Sequence, residues 1–182
     1  DRRDGIAQLG TIIGALAFGI EPGLLIGMTL AIGLYLQSTS NPPIAVVGQV
    51  PGTEHYRNIK RHKVHTWPAL LLIRIDENIY FANAPAIESH IMDLVANTNE
   101  LQDVVLVLSG VAKIDASGLE MVESISHSLI DAGVTLHLAE VKGPVMDHLA
   151  TTSLLKTLSA ARVHLSTQAA VNALTQKKSS NA

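Results

Sequence analysis

The sequence predicts an α/β fold, with a mixed, mostly parallel sheet flanked by helices and preceded by a short apolar transmembrane helical hairpin. Two observations predict this division. Between Gly5 and Leu36 the only charged residue is Glu21, whereas after residue 66 short apolar runs alternate with amphipathic segments. Such alternation is typical of an α/β layer structure. A nearly uncharged stretch of that length is typical of a membrane segment.

The apolar stretch, residues 5–36, is expected to fold as two helices. As one helix it would measure about 50 Å, which is too long for a bilayer core of about 30 Å. Proline and two glycines interrupt it near residues 19–23, so we expect helices at about 5–20 and 24–37 with a turn between them. Glycines recur at a spacing of four or five residues, which indicates helix faces that approach closely: Gly10, Gly14, Gly19, Gly23 and Gly27. The alternative is a buried hydrophobic hairpin in a soluble protein.

Four regions are expected along the chain. They are the hairpin at 1–37, a juxtamembrane linker at 38–66, the α/β domain at 67–176 and a polar tail at 177–182. Because the chain begins at Asp1 rather than Met, we expect it to be a piece of a longer protein.

Basic residues flank the hairpin on both sides: Arg2 and Arg3 before it, and Arg57, Lys60, Arg61 and Lys63 after it. Under the positive-inside tendency, both flanks and the α/β domain face the cytoplasm. The basic segment of the linker is expected at the lipid headgroups.

Charge and cysteine content exclude some classes of function. Residues 66–182 carry seven Lys or Arg and twelve Asp or Glu, so the domain is acidic. A nucleic-acid partner is not expected, since it requires a basic surface. The chain has no cysteine, which excludes disulfides and thiolate metal sites.

Periodicity places the elements of the second half. Strands are expected at 44–50, 69–75, 79–81, 103–108, 134–139 and 162–165, with 79–81 pairing back on 69–75 as a hairpin. Helices are expected from Pro85, from the Asp115–Gly118 turn to Gly133, over 144–151, and from a Ser166 cap to about 176.

The turn Asp115-Ala116-Ser117-Gly118 is the candidate functional site, because it follows a buried strand and begins an amphipathic helix. Two interpretations stay open and are compatible. In one, Ser117 is the N-cap and forms a capping box with Glu120. In the other, Ser117 is an exposed phosphoacceptor whose phosphate is stabilised by the helix N-terminus but opposed by Asp115 and Glu120.

Catalytic motifs are missing from the sequence. No glycine-rich phosphate loop and no His-Glu-x-x-His motif is present. The spacing of His55, His62 and His65 matches no common metal-ligand pattern. We therefore expect no enzymatic activity, no catalytic residue, no cofactor and no metal.

The motif Asp115-Ala116-Ser117-Gly118, between a buried strand and an amphipathic helix, resembles the signature of STAS domains. These occur in anti-sigma factor antagonists and at the C-terminus of SulP-type (sulfate permease family) anion transporters. Residues 16–27, Leu-Ala-Phe-Gly-Ile-Glu-Pro-Gly-Leu-Leu-Ile-Gly, resemble the last membrane helices of the SulP family. So does the junction from Asn41-Pro42-Pro43 to His55-Tyr56-Arg57.

The resemblance implies the C-terminal part of a secondary active transporter of inorganic anions such as sulfate, multi-pass in the cell (inner) membrane. Its STAS domain would be a cytoplasmic, non-catalytic regulatory and interaction module. Implied partners are the rest of the transporter membrane domain, a second copy in a homodimer, and a cytoplasmic regulatory protein at Asp115, Ser117 and Gly118. In the antagonists, the serine matching Ser117 is phosphorylated, which releases a protein partner.

The alternative is a stand-alone STAS partner-switch protein of the anti-sigma factor antagonist type, regulated by serine phosphorylation. The apolar stretch at 5–36 discriminates between the two, because a soluble switch protein has no use for it.

Overall fold

Two helices separated by a single residue form the N-terminal unit, residues 1–41. The computed structural model describes residues 2–40, 42–152, 155, 158 and 162–179. Helix α1 spans Arg2–Phe18 and helix α2 spans Ile20–Thr39. The break is therefore shorter than the turn expected near 19–23. Pro22 lies in the first turn of α2, where its missing N–H group costs no helical hydrogen bond.

The two helices pack through their glycines, as the spacing predicts. An added Cβ at Gly14 would lie 3.1 Å from the Cα of Gly23, and one at Gly27 would clash with Thr11. Gly19 adopts a φ of 98° and takes no part in this packing, because it makes the reversal between the helices. By length and composition, α2 is the one helix among the described residues that could cross a membrane, with a mean hydropathy of 1.4, and the apolar Gly5–Phe18 is shorter.

The second unit, residues 42–182, is built on a mixed sheet in the order β2-β1-β3-β4-β5-β6. The strands are β1 Ile44–Gln49, β2 Tyr56–Asn58, β3 Leu70–Ile75, β4 Asp103–Val107, β5 Thr135–Ala139 and β6 Val163–His164. The helices are α3 Ala84–Ala96, α4 Ala116–Asp131, α5 Gly143–Ala150 and α6 Thr167–Ser179. β3 to β6 are parallel, and β1 is antiparallel to both β2 and β3. The predicted fold class is confirmed.

Two expectations about the sheet are wrong. Residues 79–81 do not pair back on β3, because β1 and β4 already occupy its two edges. Ile79 instead bridges to Ile114 in parallel. The segment 38–66, expected to be a juxtamembrane linker with a strand at 44–50, is part of the sheet instead. It contributes that strand as β1, whose buried Ala45 and Val47 join the core, and it also contributes β2.

Helix ends follow their sequence signals closely. Gly133, with a φ of 73°, ends α4 as predicted. The Ser166 Oγ accepts a hydrogen bond from the Ala169 N–H at 3.1 Å, so Ser166 caps α6 as predicted. Helix α6 runs to Ser179, into the expected polar tail, and residues 180–182 lie outside the described residues.

Helices cover both faces of the sheet. On one face, α3, α4 and α5 bury the larger core, with an apolar stripe of α3 and of α4 facing the sheet. Its fully buried helical residues include Ile87, Ile91, Ile125, Leu129 and Leu149. On the other face, α6 contributes Ala170, Val171 and Leu174.

The Tyr56 hydroxyl donates a hydrogen bond to the Gln168 Oε1 at 2.9 Å, which connects β2 to α6. Burial, aided by Glu54, raises the pKa of Tyr56 to about 12.

A row of polar side chains crosses the face that α6 covers. The His137 Nε2 lies 3.3 Å from the Asp103 Oδ1, and its Nδ1 lies 3.2 Å from the His164 Nε2. Burial, and then the neighbouring His137, lowers the pKa of His164 below its usual 6.5. The folded domain therefore resists protonation of His164.

This pKa shift predicts a loss of stability in acid. As pH falls below 6.5, the unfolded chain binds a proton that folded His164 resists, so the free energy of unfolding decreases until the lowered pKa is passed. We expect His164→Gln to reduce the difference between urea midpoints measured above and below pH 6.5. The single tryptophan, Trp67, lies in this unit and provides the fluorescence signal. An equal pH dependence in wild type and variant would contradict the prediction.

A second prediction concerns Asn83, which is fully buried. Its Oδ1 accepts from the Tyr80 N–H at 2.9 Å, and its Nδ2 donates to the Asn78 carbonyl oxygen at 2.8 Å. Asn83→Ala leaves both backbone groups unpaired and should lower the free energy of unfolding by about 2–4 kcal/mol. The control is Asn97→Ala, which removes one exposed bond to the Asp93 carbonyl and should cost under about 1 kcal/mol. Equal losses in urea titrations of the two variants would contradict the prediction.

Candidate functional site

The predicted site lies where the chain leaves β4 and begins α4. The structure brings Asp115, Ser117 and Gly118 together on the first turn of α4, at the carboxyl end of the parallel strands. This is the edge of an α/β sheet where functional groups are commonly exposed. The three residues have different surroundings. Asp115 and Gly118 have structural roles, whereas Ser117 is partly exposed.

Asp115 is the N-cap of α4, with an extended backbone at φ −98° and ψ −176°. Its Oδ1 accepts from the Gly118 N–H at 2.9 Å, and its Oδ2 accepts from the Phe81 N–H at 2.9 Å. One carboxylate thus caps α4 and holds the segment that precedes α3. The capping box expected for Ser117 and Glu120 is wrong, because the helix starts two residues earlier than that interpretation requires.

Ser117 is the second residue of α4, and its side chain is half-exposed. No hydrogen bond joins its hydroxyl to the residues that the structure describes. Since Asp115 already caps the helix, the hydroxyl of Ser117 is not needed to begin α4. Ser117 lies on the first turn of α4, where helical N–H groups and the helix dipole favour an anion.

Gly118 is buried, and its role is close packing. A Cβ added there would lie 2.7 Å from the Ile114 Cγ1 and 2.8 Å from the Ile79 Cγ2. A larger residue would therefore push the start of α4 away from the bridge between Ile79 and Ile114. Gly118 fixes the distance between the helix and its supporting loop.

The supporting loop, residues 78–83, holds the turn in place, a role that the strand expected at 79–81 does not include. The Asn78 Oδ1 accepts from the N–H groups of Ala112 and Lys113, at 2.8 and 2.9 Å. Backbone bonds from Ile79 to Lys113 and from Asp115 to Ile79 continue the attachment. The asparagines at 78 and 83 were the available signal, since asparagine commonly bonds to backbone groups in turns.

A shallow groove of about 310 Å³ runs between the first turns of α3 and α4. Its lining combines carboxylates, small polar groups and apolar side chains: Phe81, Ala84, Pro85, Glu88, Ser117, Glu120, Met121 and Ser124. The Ser124 hydroxyl donates to the Glu88 Oε1 at 2.5 Å across the groove. Phe81 is 64% exposed at its rim. An exposed aromatic ring beside polar groups suits contact with another macromolecule.

The electrostatics of this groove are acidic, since Glu88 and Glu120 line it beside Ser117. The first turn of α4 offers the opposite sign, because helical N–H groups and the helix dipole favour an anion. A phosphate on Ser117 would thus be stabilised by the helix and repelled by the groove. Among the described residues, no group of three or more His, Cys, Asp or Glu side chains could hold a metal ion.

Comparison with known proteins identifies the domain. The sequence model described as the STAS domain matches residues 57–170. The chain is 30% identical over 181 residues to high affinity sulfate transporter 2 of Stylosanthes hamata, covering 94% of this chain and 27% of that protein. It is 29% identical over 189 residues to sulfate transporter 1.3 of Arabidopsis thaliana, covering 98% of this chain and 29% of that protein. The chain therefore spans less than a third of the length of these relatives.

A solved structure shares the fold. Murine Solute Carrier 26 family member A9, an anion transporter in the inward-facing state, matches 94% of this chain with a TM-score of 0.85 at 17% identity. The match covers 28% of the transporter chain. Together with the sulfate transporters, it confirms the resemblance to the STAS-containing region of SulP-type transporters. Since the STAS model matches more than half of its residues, this chain belongs to the STAS domain family.

Proposed function

We propose that this chain is part of a secondary active transporter of inorganic anions, of the sulfate type. In this proposal its STAS domain is a non-catalytic regulatory and interaction module. The observation that carries the proposal is the joining of an apolar helical pair to a STAS domain in one chain. Sulfate transporter relatives align with 94% or more of that chain, so the similarity extends beyond the STAS domain into the helical pair.

The membrane location follows from the apolar helices. α1 and α2 expose many large apolar side chains, among them Leu16, Phe18, Ile20 and Leu25. A lipid environment or neighbouring membrane helices would cover these side chains. We place the chain in the cell (inner) membrane of a multi-pass protein, with the STAS domain in the cytoplasm, because basic residues flank the helical pair on both sides.

Three partners fit this proposal. The first is the rest of the transporter membrane domain, which would pack against α1 and α2 and supply the substrate path. The second is another copy of the chain in a homodimer. The third is a cytoplasmic regulatory protein that binds at the turn formed by Asp115, Ser117 and Gly118, where Ser117 lines the groove.

Regulation at Ser117 is supported by the separation of roles within the turn. Asp115 and Gly118 hold the helix start, whereas the Ser117 hydroxyl is half-exposed and bonded to no described residue. A phosphate there adds two negative charges, or slightly fewer, to an acidic groove. It would change what the groove binds without requiring a new cap for α4.

A stand-alone partner-switch protein is less well supported. A putative anti-sigma factor antagonist from Thermotoga maritima shares the fold at 21% identity with a TM-score of 0.50, over 57% of this chain. It leaves a larger part of the chain unmatched than the sulfate transporters do. An anion uptake assay separates the two functions: a transporter that contains this chain should move sulfate into proteoliposomes, and a partner-switch protein should not.

The regulatory role predicts that a negative charge at Ser117 changes function. In a sulfate-transporting protein that contains this chain, we expect Ser117→Asp to change the uptake rate or the affinity for a regulatory partner several-fold, with Ser117→Ala close to wild type. The matched control is Ser89→Asp, which adds the same charge on the exposed surface of α3. If Ser117→Asp and Ser89→Asp behave alike in uptake and binding, Ser117 has no regulatory role.

The scaffold role of Asp115 predicts a different ranking in stability. Asp115→Ala removes the cap and the bond to Phe81 and should cost about 1–3 kcal/mol of unfolding free energy. Asp115→Asn keeps a capping oxygen and should cost less. Ser117→Ala should stay within about 0.5 kcal/mol of wild type, because the hydroxyl bonds to no described residue. Urea titrations followed by Trp67 fluorescence test this order, and a larger loss for Ser117→Ala than for Asp115→Ala would overturn it.

A further inference from the structure

A cluster of exposed cations follows β2. We call residues 57–63 the basic loop. Its four permanently charged side chains are all exposed: Arg57, Lys60, Arg61 and Lys63. Glu54 is the only carboxylate in the sequence between residues 42 and 75. Among the described residues, no carboxylate forms an ion pair with any of these four cations, so their charge is available to a partner.

The basic loop has a defined shape. The Asn58 Oδ1 accepts from the Lys60 N–H at 2.8 Å, and the Asn58 carbonyl oxygen accepts from the Arg61 and His62 N–H groups at 3.1 Å. The Ile59 N–H donates to the Val46 carbonyl oxygen at 3.1 Å. These bonds fix a tight turn against β1, and the cations extend from it. Ile59, 40% exposed, adds an apolar side chain to the same turn.

The basic loop is bonded to β1 near the start of the STAS domain, and this position indicates the kind of partner that it binds. It lies beside Val46, two residues from the start of β1, where the chain enters the STAS domain. Six residues separate Val46 from Thr39, the last residue of α2. Even fully extended, that segment reaches roughly 20–25 Å. If α2 spans the membrane, this covalent link keeps the turn within that distance of the end of the helix.

We propose that the basic loop binds the anionic headgroups of membrane lipids. Arg57, Lys60, Arg61 and Lys63 would meet phosphate and carboxylate groups, and Ile59 would enter the interface between headgroups and acyl chains. Basic segments next to membrane helices are attracted by anionic lipid, and the attraction decays within a Debye length of about 8–10 Å. This inference rests on the membrane attachment of α1 and α2 that the proposed function includes.

Charge favours lipid over a protein surface. A second copy of this chain offers an acidic domain, but its carboxylates are dispersed and partly engaged, as Asp103, Asp115 and Glu88 are. A lipid surface presents a continuous anionic layer and an apolar interior to the same turn. The combination of four exposed cations with an exposed isoleucine matches that layered chemistry.

The experiment uses the complete chain in vesicles. Because the chain has no cysteine, His62→Cys gives a single labelling position inside the basic loop without removing a permanent cation. Ala132→Cys is the control, exposed at the end of α4 and next to the amino ends of the parallel strands. Each variant carries an environment-sensitive fluorophore and is placed in vesicles of phosphatidylcholine, with or without phosphatidylserine. A quencher attached to lipid headgroups reports contact with the membrane.

We expect strong headgroup quenching at position 62 in phosphatidylserine vesicles and weak quenching in phosphatidylcholine alone. In 1 M salt, where the Debye length is about 3 Å, quenching should fall to the level of position 132. Replacing Arg57, Lys60, Arg61 and Lys63 with glutamine should produce the same loss. The milder pair Lys60→Gln and Lys63→Gln should lose part of the signal and guards against misfolding of the fourfold variant.

Flotation with the vesicles separates this inference from the proposed function. A chain that floats with both vesicle types, with equal quenching at position 62 in both, keeps its membrane attachment but overturns lipid binding by the basic loop. Quenching that survives the fourfold replacement overturns it as well. A fluorescence change at position 62 in detergent, rising with protein concentration, would assign the basic loop to a second copy. A chain that floats with neither vesicle contradicts the attachment and this inference together.

Discussion

The Asp115 carboxylate connects two segments of the chain, and the arrangement of α3 and α4 depends on it. One oxygen receives the Gly118 N–H at the start of α4, and the other receives the Phe81 N–H in the loop before α3. The start of α4 and the loop that leads into α3 are therefore joined at one carboxylate. Asn78 reinforces this point by accepting from two N–H groups of the loop that precedes Asp115. The α4 wall of the groove beside Ser117 is thus bonded to Phe81 at the rim of the groove.

The start of the second unit lies at the same edge of the sheet. The Pro43 carbonyl oxygen accepts from the Asp76 N–H at 3.2 Å, and an added Cβ at Gly110 would lie 2.7 Å from the Asp76 Cα. The start of the domain is thus linked through Asp76 to the connection that leads from β4 to the turn. Backbone hydrogen bonds and the close contact between Gly110 and Asp76 hold this connection in place. We therefore expect a charge added at Ser117 to change the surface charge of the groove rather than the position of α4.

Local patterns predicted the elements, whereas long-range bonds decided the sheet order and the roles within the turn. The apolar runs of β3, β4 and β5 and the stripes of α3 and α4 are visible within ten or so residues. The cap could not be assigned in this way, because Asp115 and Ser117 are both good N-caps by residue type. What selects Asp115 is a bond to Phe81, 34 residues away in sequence. The false hairpin at 79–81 has the same origin, since only the structure reveals that β1 occupies the free edge of β3.

The two proposed sites, the basic loop and the groove beside Ser117, carry opposite charges within one domain. The basic loop carries four exposed cations at the β2 edge of the sheet, whereas Glu88 and Glu120 line the groove beside Ser117. If the domain lies at an anionic membrane surface, that surface would attract the basic loop and repel the groove. A phosphate on Ser117 strengthens the repulsion and leaves the attraction unchanged, because it adds charge only to the groove. Modification of Ser117 and the anionic lipid content of the membrane would then act on the same balance of forces, and both effects would weaken as salt shortens the Debye length.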